Sequence, residues 1–155
     1  MTRIGPRRQM ADRAGIENLL SRYTELLDGG DFEGLGALFS DGAVRITGGP
    51  HSGRHARGPI AAADLYRDIV LLDPQTGGTG TRHLIGNLHI EHGKPDAEAR
   101  SCFVVFQQTS ELPLQPIASG RYIDRLRSSG RRWTFGERHI VCDQVGDLSA
   151  HMRGA

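Results

Sequence analysis

The 155-residue chain carries 19 basic and 18 acidic side chains, a formal net charge of +1, with 37% hydrophobic and 24% charged residues. That near-neutral balance excludes the broad basic footprint of a nucleic-acid binder, and no apolar run reaches the ~18 residues of a membrane span. The length suits one domain, which at this size needs neither a disulfide nor a metal to hold it. Cys102 and Cys142 stand far apart, without metal-ligand spacing, and read as two buried thiols of a cytoplasmic protein.

Residues 1–9 are basic, lack a following apolar segment and read as a flexible arm ahead of a single domain over 10–148. Ile16, Leu19, Leu20, Tyr23 and Leu27 recur at steps of three and four, which predicts an amphipathic helix with Asp12 as its N-cap. Asp28, Gly29 and Gly30 end it, since glycine is favoured just past a helix terminus. Asp31 caps a second, shorter helix carrying Phe32, Leu35, Leu38 and Phe39. Residues 43–47 form a short strand, and 48–58 a glycine-rich turn region with a further short strand around Arg54. Pro59, tolerated at the first helical position, opens a third helix carrying Ile60, Leu65, Ile69 and Leu72, which Asp73 and Pro74 end.

After a loop over 75–81 the pattern turns to strands at 84–91, 97–109, 119–127 and 133–141. Turns lie at 92–96 and 128–130. In the 97–109 strand Phe103, Val105 and Gln107 face one side and Cys102, Val104 and Phe106 the other. Both faces are apolar there, so this strand is expected to be central and largely buried. Residues 149–155 read as a polar tail. Helices first and long strands later is the α+β pattern: N-terminal helices over a curved antiparallel sheet, leaving a pocket for a small, largely apolar molecule.

Asp28 is the physically odd residue. It lies in the last turn of its helix, where the macrodipole disfavours a carboxylate by ~0.3–1 kcal/mol. Such a group either faces water or has a positive or protonated partner. His83 follows a glycine-rich loop and enters a strand, where it faces either solvent or a cavity. Paired with a carboxylate, one ring nitrogen would be fixed and the other free as a general base near pH 7. Tyr23 precedes Asp28 by five residues, ~140° away around the helix axis, so the two share a site only if the helix end is distorted or the phenol reaches over, and on the apolar stripe Tyr23 reads first as a core tyrosine with a satisfied hydroxyl. Asn87 shares the side of His83 on a regular strand and could donate to a carbonyl. Arg138 and His139 point to opposite faces. Strict alternation groups His139 with Trp133, Phe135, Glu137 and Val141, so His139 and Trp133, with Phe103, are expected to line the pocket. A buried, hydrogen-bonded histidine is the other reading of His139.

His51 and His55 have a four-residue spacing, but Gly53 and Pro50 argue against a helix that would join their rings. His89 and His92 lack a third ligand, and the glycines of 77–80 lack the lysine and following helix of a phosphate loop. No metal, nucleotide or other cofactor is expected.

The segment IENLLSRYTELLDGGDF (16–32), followed by LFSDGA (38–43), resembles the opening of SnoaL-like proteins of the nuclear transport factor 2-like superfamily. TRHLIGN (81–87) is similar to that family's histidine-bearing strand, and GRYIDRL (120–126), RWTF (132–135) and ERHI (137–140) to its closing hairpin. The resemblance covers roughly residues 10–148. It implies a cone-shaped curved sheet covered by N-terminal helices. The pattern is similar to scytalone dehydratase, bile-acid dehydratase and hexachlorocyclohexane dehydrochlorinase, in which an Asp–His dyad removes a proton while a leaving group departs. By that resemblance Asp28 and His83 are the dyad and Tyr23 assists. The protein would be a cofactor-independent lyase or isomerase acting on a small apolar or polycyclic substrate. The alternative is a non-catalytic ligand-binding or assembly module of the same fold. A homo-oligomer is expected, a dimer by default, with a trimer as the other form.

Overall fold

The computed structural model describes residues 5–93 and 96–155. In chain order the elements are α1 (Pro6–Gly29), α2 (Phe32–Ala37), β1 (Ala43–Thr47), β2 (His55–Arg57), α3 (Pro59–Ile69), β3 (Thr81–His92), β4 (Ala97–Gln107), β5 (Gln115–Ser129) and β6 (Arg132–Val145). The strands form one curved, unclosed sheet in the order β2-β1-β6-β5-β4-β3. Every pairing is antiparallel except β1 with β6, which is parallel.

The predicted stripe of α1 faces the sheet: Ile16, Leu19, Leu20, Tyr23, Leu26 and Leu27 are all buried. The helix starts earlier than expected. Pro6 occupies its first position behind Gly5, so the expected arm is helical from residue 6. Asp12 lies inside the helix, within 4.0 Å of Arg8, and caps nothing. The C-terminal stop falls as predicted. Gly30 adopts φ 73°, and a Cβ there would lie 2.6 Å from the carbonyl oxygen of Gly77; only glycine combines that backbone with that contact. Asp31 caps α2 by accepting from the Gly34 amide at 2.8 Å.

Helix α3 ends at Ile69, short of Asp73 and Pro74, because Val70 turns extended and bridges to Met152. Its buried face is Ala62, Ala63, Leu65, Tyr66 and Ile69, while Ile60 and Leu72 are exposed. Strand β4 lies between β3 and β5, but only one face is buried. Phe103, Val105 and Gln107 point inward, Val104 and Phe106 are half-buried and Cys102 is exposed. The helices cover one side of the sheet, which leaves the other side without the apolar cover the sequence pattern implied.

Two of the sheet's register shifts re-aim side chains that bear on the site. In β3 the register with β4 shifts between Gly86 and His89, with Asn87 at φ 52°. In β6 the partner of Arg125 is Glu137 and that of Leu126 is Phe135, so Gly136 is an extra residue. Alternation therefore reverses across Gly136, as bulges dictate. Trp133 and Phe135 face inward before it, and Arg138 faces inward after it.

The C-terminus is no free tail. The Leu71 amide donates to the His151 carbonyl at 2.8 Å and the Arg153 amide to the Ile69 carbonyl at 2.9 Å. Leu148 and His151 are buried. Among the described residues no helix is long and apolar enough to cross a membrane.

Candidate functional site

The end of α1 and the start of β3 meet at Asp28. The His83 ring donates from Nδ1 to Asp28 Oδ1 at 2.6 Å, and the His83 amide donates to Oδ2 at 3.1 Å. Thr81 donates its hydroxyl to Oδ1 at 2.7 Å. The Asp28 carbonyl, one of the orphan acceptors at a helix end, takes both the amide of Thr79 at 3.1 Å and its hydroxyl at 3.0 Å. Three donors thus converge on a carboxylate that the helix dipole disfavours. Both side chains are over nine-tenths buried. Burial pushes the Asp28 carboxyl up, but the His83 hydrogen bond and charge, with the Thr81 and backbone donors, outweigh it and hold the pKa below the ordinary value. Since an ionised carboxylate only accepts, Asp28 fixes the proton on Nδ1 and leaves Nε2 as the basic nitrogen.

His83 lines a cavity of about 70 Å³; Asp28 stands behind it, outside the lining. The walls are mostly apolar: Leu27, Ile46, Ile69, Phe103, Val105 and Ile140 are among them. Polar groups enter from Tyr23, Tyr66, His51, His151 and Cys142. The hydroxyls of Tyr23 and Tyr66 share a hydrogen bond of 2.6 Å. Burial raises the pKa of both phenols, so near neutral pH they are neutral donors and acceptors, and neither is a base.

Beneath Tyr23 lies a fully buried ion pair. Arg138 donates to both Asp124 oxygens, at 2.9 and 2.8 Å. Its guanidinium carbon sits 4.2 Å from the centre of the Tyr23 ring, 3.8 Å from that of Tyr122 and 4.4 Å from that of Phe135. Burial opposes the charge, but Asp124 outweighs it and raises the Arg138 pKa above its ordinary value.

The structure therefore brings Asp28, His83, Tyr23 and Phe103 to one place, although the helical angle between Tyr23 and Asp28 argued against a shared site. The two meet because Tyr23 enters the cavity wall directly, while Asp28 reaches it only through the His83 ring. The remaining three expected site residues lie elsewhere. Asn87 is exposed at the β3 bulge, so the regular-strand argument fails there. His139 is turned outward by the Gly136 bulge and bonds Thr47 Oγ1 through Nε2 at 2.8 Å. Trp133 packs against α1 at Gly15, where a Cβ would lie 2.6 Å from its ring. The cysteines also depart from expectation, since Cys102 is exposed and Cys142 is half-buried in the cavity wall.

Sequence reasoning missed Tyr66, His151 and the cavity role of His51. Tyr66 was findable: Ala62, Ala63, Tyr66 and Ile69 form an alternative helical stripe on α3. His151 had no local signal, because a histidine among polar residues near a terminus predicts exposure.

Residues 8–139 match the model of the SnoaL-like domain family. Among solved structures, a function-unknown protein from Mycobacterium tuberculosis, solved as an aspartate-to-asparagine variant, is 26% identical with a TM-score of 0.73, covering 93% of this chain and 79% of that one. An NTF2-like protein with a cystatin-like fold from Novosphingobium aromaticivorans is 25% identical, TM-score 0.71, covering 92% and 88%. A provisionally assigned scytalone dehydratase from Novosphingobium aromaticivorans DSM 12444 is 23% identical, TM-score 0.69, covering 90% and 89%, a likeness of fold. No curated protein matches the chain by sequence.

Proposed function

The chain belongs to the SnoaL-like domain family, and from that membership and the Asp28–His83 geometry we propose that it is a cofactor-independent lyase or isomerase. His83 Nε2 removes a proton from a carbon of an apolar ring substrate. Asp28 holds the tautomer and stabilises the imidazolium that forms. The hydroxyl of Tyr23, coupled to Tyr66, serves a leaving hydroxyl or the protonation step. The observation that carries this reading is the 2.6 Å contact between Asp28 Oδ1 and His83 Nδ1, with His83 on the wall of an apolar cavity.

The competing reading, a non-catalytic ligand-binding or assembly module, expects the pair to face solvent or to be consumed in structural bonds. What favours catalysis is that no bond to His83 Nε2 occurs among the described residues, while Nδ1 and the amide are both engaged. At about 70 Å³ the cavity is smaller than the ~150 Å³ that accommodates benzene in an engineered protein. A ring substrate enters by displacing part of the wall.

Dehydration, dehydrohalogenation and double-bond isomerisation share the first step, so the test reads that step alone. Cyclic ketones and hydroxyketones are incubated with the protein in deuterium oxide, and uptake of deuterium at carbon is followed by mass spectrometry. His83→Ala and Asp28→Asn are each expected to slow exchange by about 10²–10⁴-fold, the usual worth of a positioned general base, with unchanged circular dichroism. Exchange at wild-type rates in both variants would exclude the dyad.

A further inference from the structure

We infer that His151, carried by the C-terminal segment, is a second catalytic residue of this cavity, hydrogen-bonding the substrate oxygen on which charge builds while His83 takes the proton. The inference rests on the proton-transfer reading of Asp28 and His83, and it commits the substrate to one with a carbonyl oxygen beside the carbon that loses its proton.

His151 is 2% exposed and lines the cavity. Its ring centre lies 6.0 Å from that of His83, tilted by 59°. Its Nδ1 is fully buried and has no hydrogen-bond partner among the described residues. Buried side-chain nitrogens are almost always satisfied. Carried by a residue of the cavity wall beside a candidate base, it is a group that a ligand atom entering the cavity would complete.

The backbone that carries the ring is tied down at two carbonyls. The His151 carbonyl accepts from the Leu71 amide, and the neighbouring Ala150 carbonyl accepts from the Gln107 side-chain amide at 3.1 Å. That same amide nitrogen donates to the Thr79 carbonyl at 3.0 Å, and Thr79 caps Asp28. Gln107, 1% exposed, thus ties the segment bearing His151 to the shelf that supports the dyad. Fixed donors aimed at developing charge are the usual source of transition-state stabilisation.

Burial and the neighbouring His83 lower the His151 pKa to about 4, so the ring works as a neutral imidazole, a donor at one nitrogen and an acceptor at the other. In the step itself His83 Nε2 takes the proton and the C–H electron pair becomes the new C–C π bond. The carbonyl π pair moves onto oxygen, where the His151 N–H bonds it without giving up its proton. The pair then returns to expel a leaving group, or to accept the proton back from His83 at another carbon.

Phenol and toluene, matched in size and differing in one oxygen, are the probes. Ring nitrogen shifts of isotopically labelled histidines are followed by NMR while each is titrated. Phenol is expected to move the His151 ring signals and to bind at least about tenfold more tightly than toluene. The preference should fall to about unity in His151→Phe, and largely return in His151→Gln, which keeps a donor. Unmoved His151 signals, equal binding of the two probes, no binding by the wild-type protein, or an intact preference in His151→Phe would each overturn the assignment. Neither probe reacts, so the outcome is independent of the proton-transfer reading. The preference is expected in the wild-type protein even if deuterium exchange proves absent from it.

Discussion

Two histidines of this cavity differ in what holds each ring. His83 has a carboxylate behind it and its own amide on the same carboxylate, so its proton and orientation are set. His151 has no partner for Nδ1 and is neutral because burial penalises its charge. That difference has a consequence for stability. An unfolded histidine takes its proton near pH 6.5, whereas folded His151 resists until about 4. Between those values the unfolded state binds more protons, so stability falls as pH drops through that window, by roughly 3 kcal/mol, and His151 contributes no further change below it. Asp28, held below its ordinary value, adds a loss that begins only near pH 4 and continues downward. Urea unfolding between pH 7 and 3 should show the upper step shrink in His151→Phe while the lower one stays, the remainder of the upper step coming from His51 and His139, whose pKa values burial also lowers. An unchanged upper step would assign it to another group. Of these residues, Asp28 was legible from sequence because its conflict with the helix dipole is local. His151 was not, because its burial depends on residues such as Leu71 and Gln107, more than forty positions away.

At the level of elements, the Gly136 bulge decides what β6 presents. Without it, strict alternation would put Arg138 outside and His139 inside. With it, Arg138 is buried against Asp124 under three aromatic rings, and His139 becomes an outer-face residue bonded to Thr47. A glycine within a β pattern is a known sign of a bulge, so the reversal was readable in principle at this one position. The buried pair sets a sharp expectation. Asp124→Ala leaves a charged guanidinium unpaired in the core and should cost about 3–5 kcal/mol. The double replacement Asp124→Leu with Arg138→Met should recover most of that loss, since an apolar pair of similar volume removes the desolvation cost on both sides. Chemical denaturation of the two variants measures this. A double variant as unstable as the single one would show that the pair itself, and not the avoidance of an unpaired charge, stabilises the sheet.

Over the whole molecule, the cavity is closed by chain from both ends of the sequence, with α1 at one wall and the segment after β6 at another. A chain ending at Asp147 loses Leu148, His151 and Met152 from the wall and the bridge to Val70. It should stay folded but bind an apolar dye such as anilinonaphthalene sulfonate several-fold more strongly, because the uncovered lining is mostly aliphatic and aromatic. Dye binding equal to the full chain would show that the segment does not close the cavity. The sequence by itself determined the α1 stripe, the glycine stop of α1, the Asp31 cap and the hairpin strands, for these rest on periodicity and turn chemistry, whereas the contact of Asp28 with His83 was implied only by the resemblance to known relatives. Only the tertiary structure decided which face β6 turns inward, that Asn87, His139 and Trp133 lie away from the cavity, and that His151 and Tyr66 line it. The reason is physical: a bulge of one residue reverses every side chain beyond it, and a terminus is buried only by contacts that no local window of sequence contains.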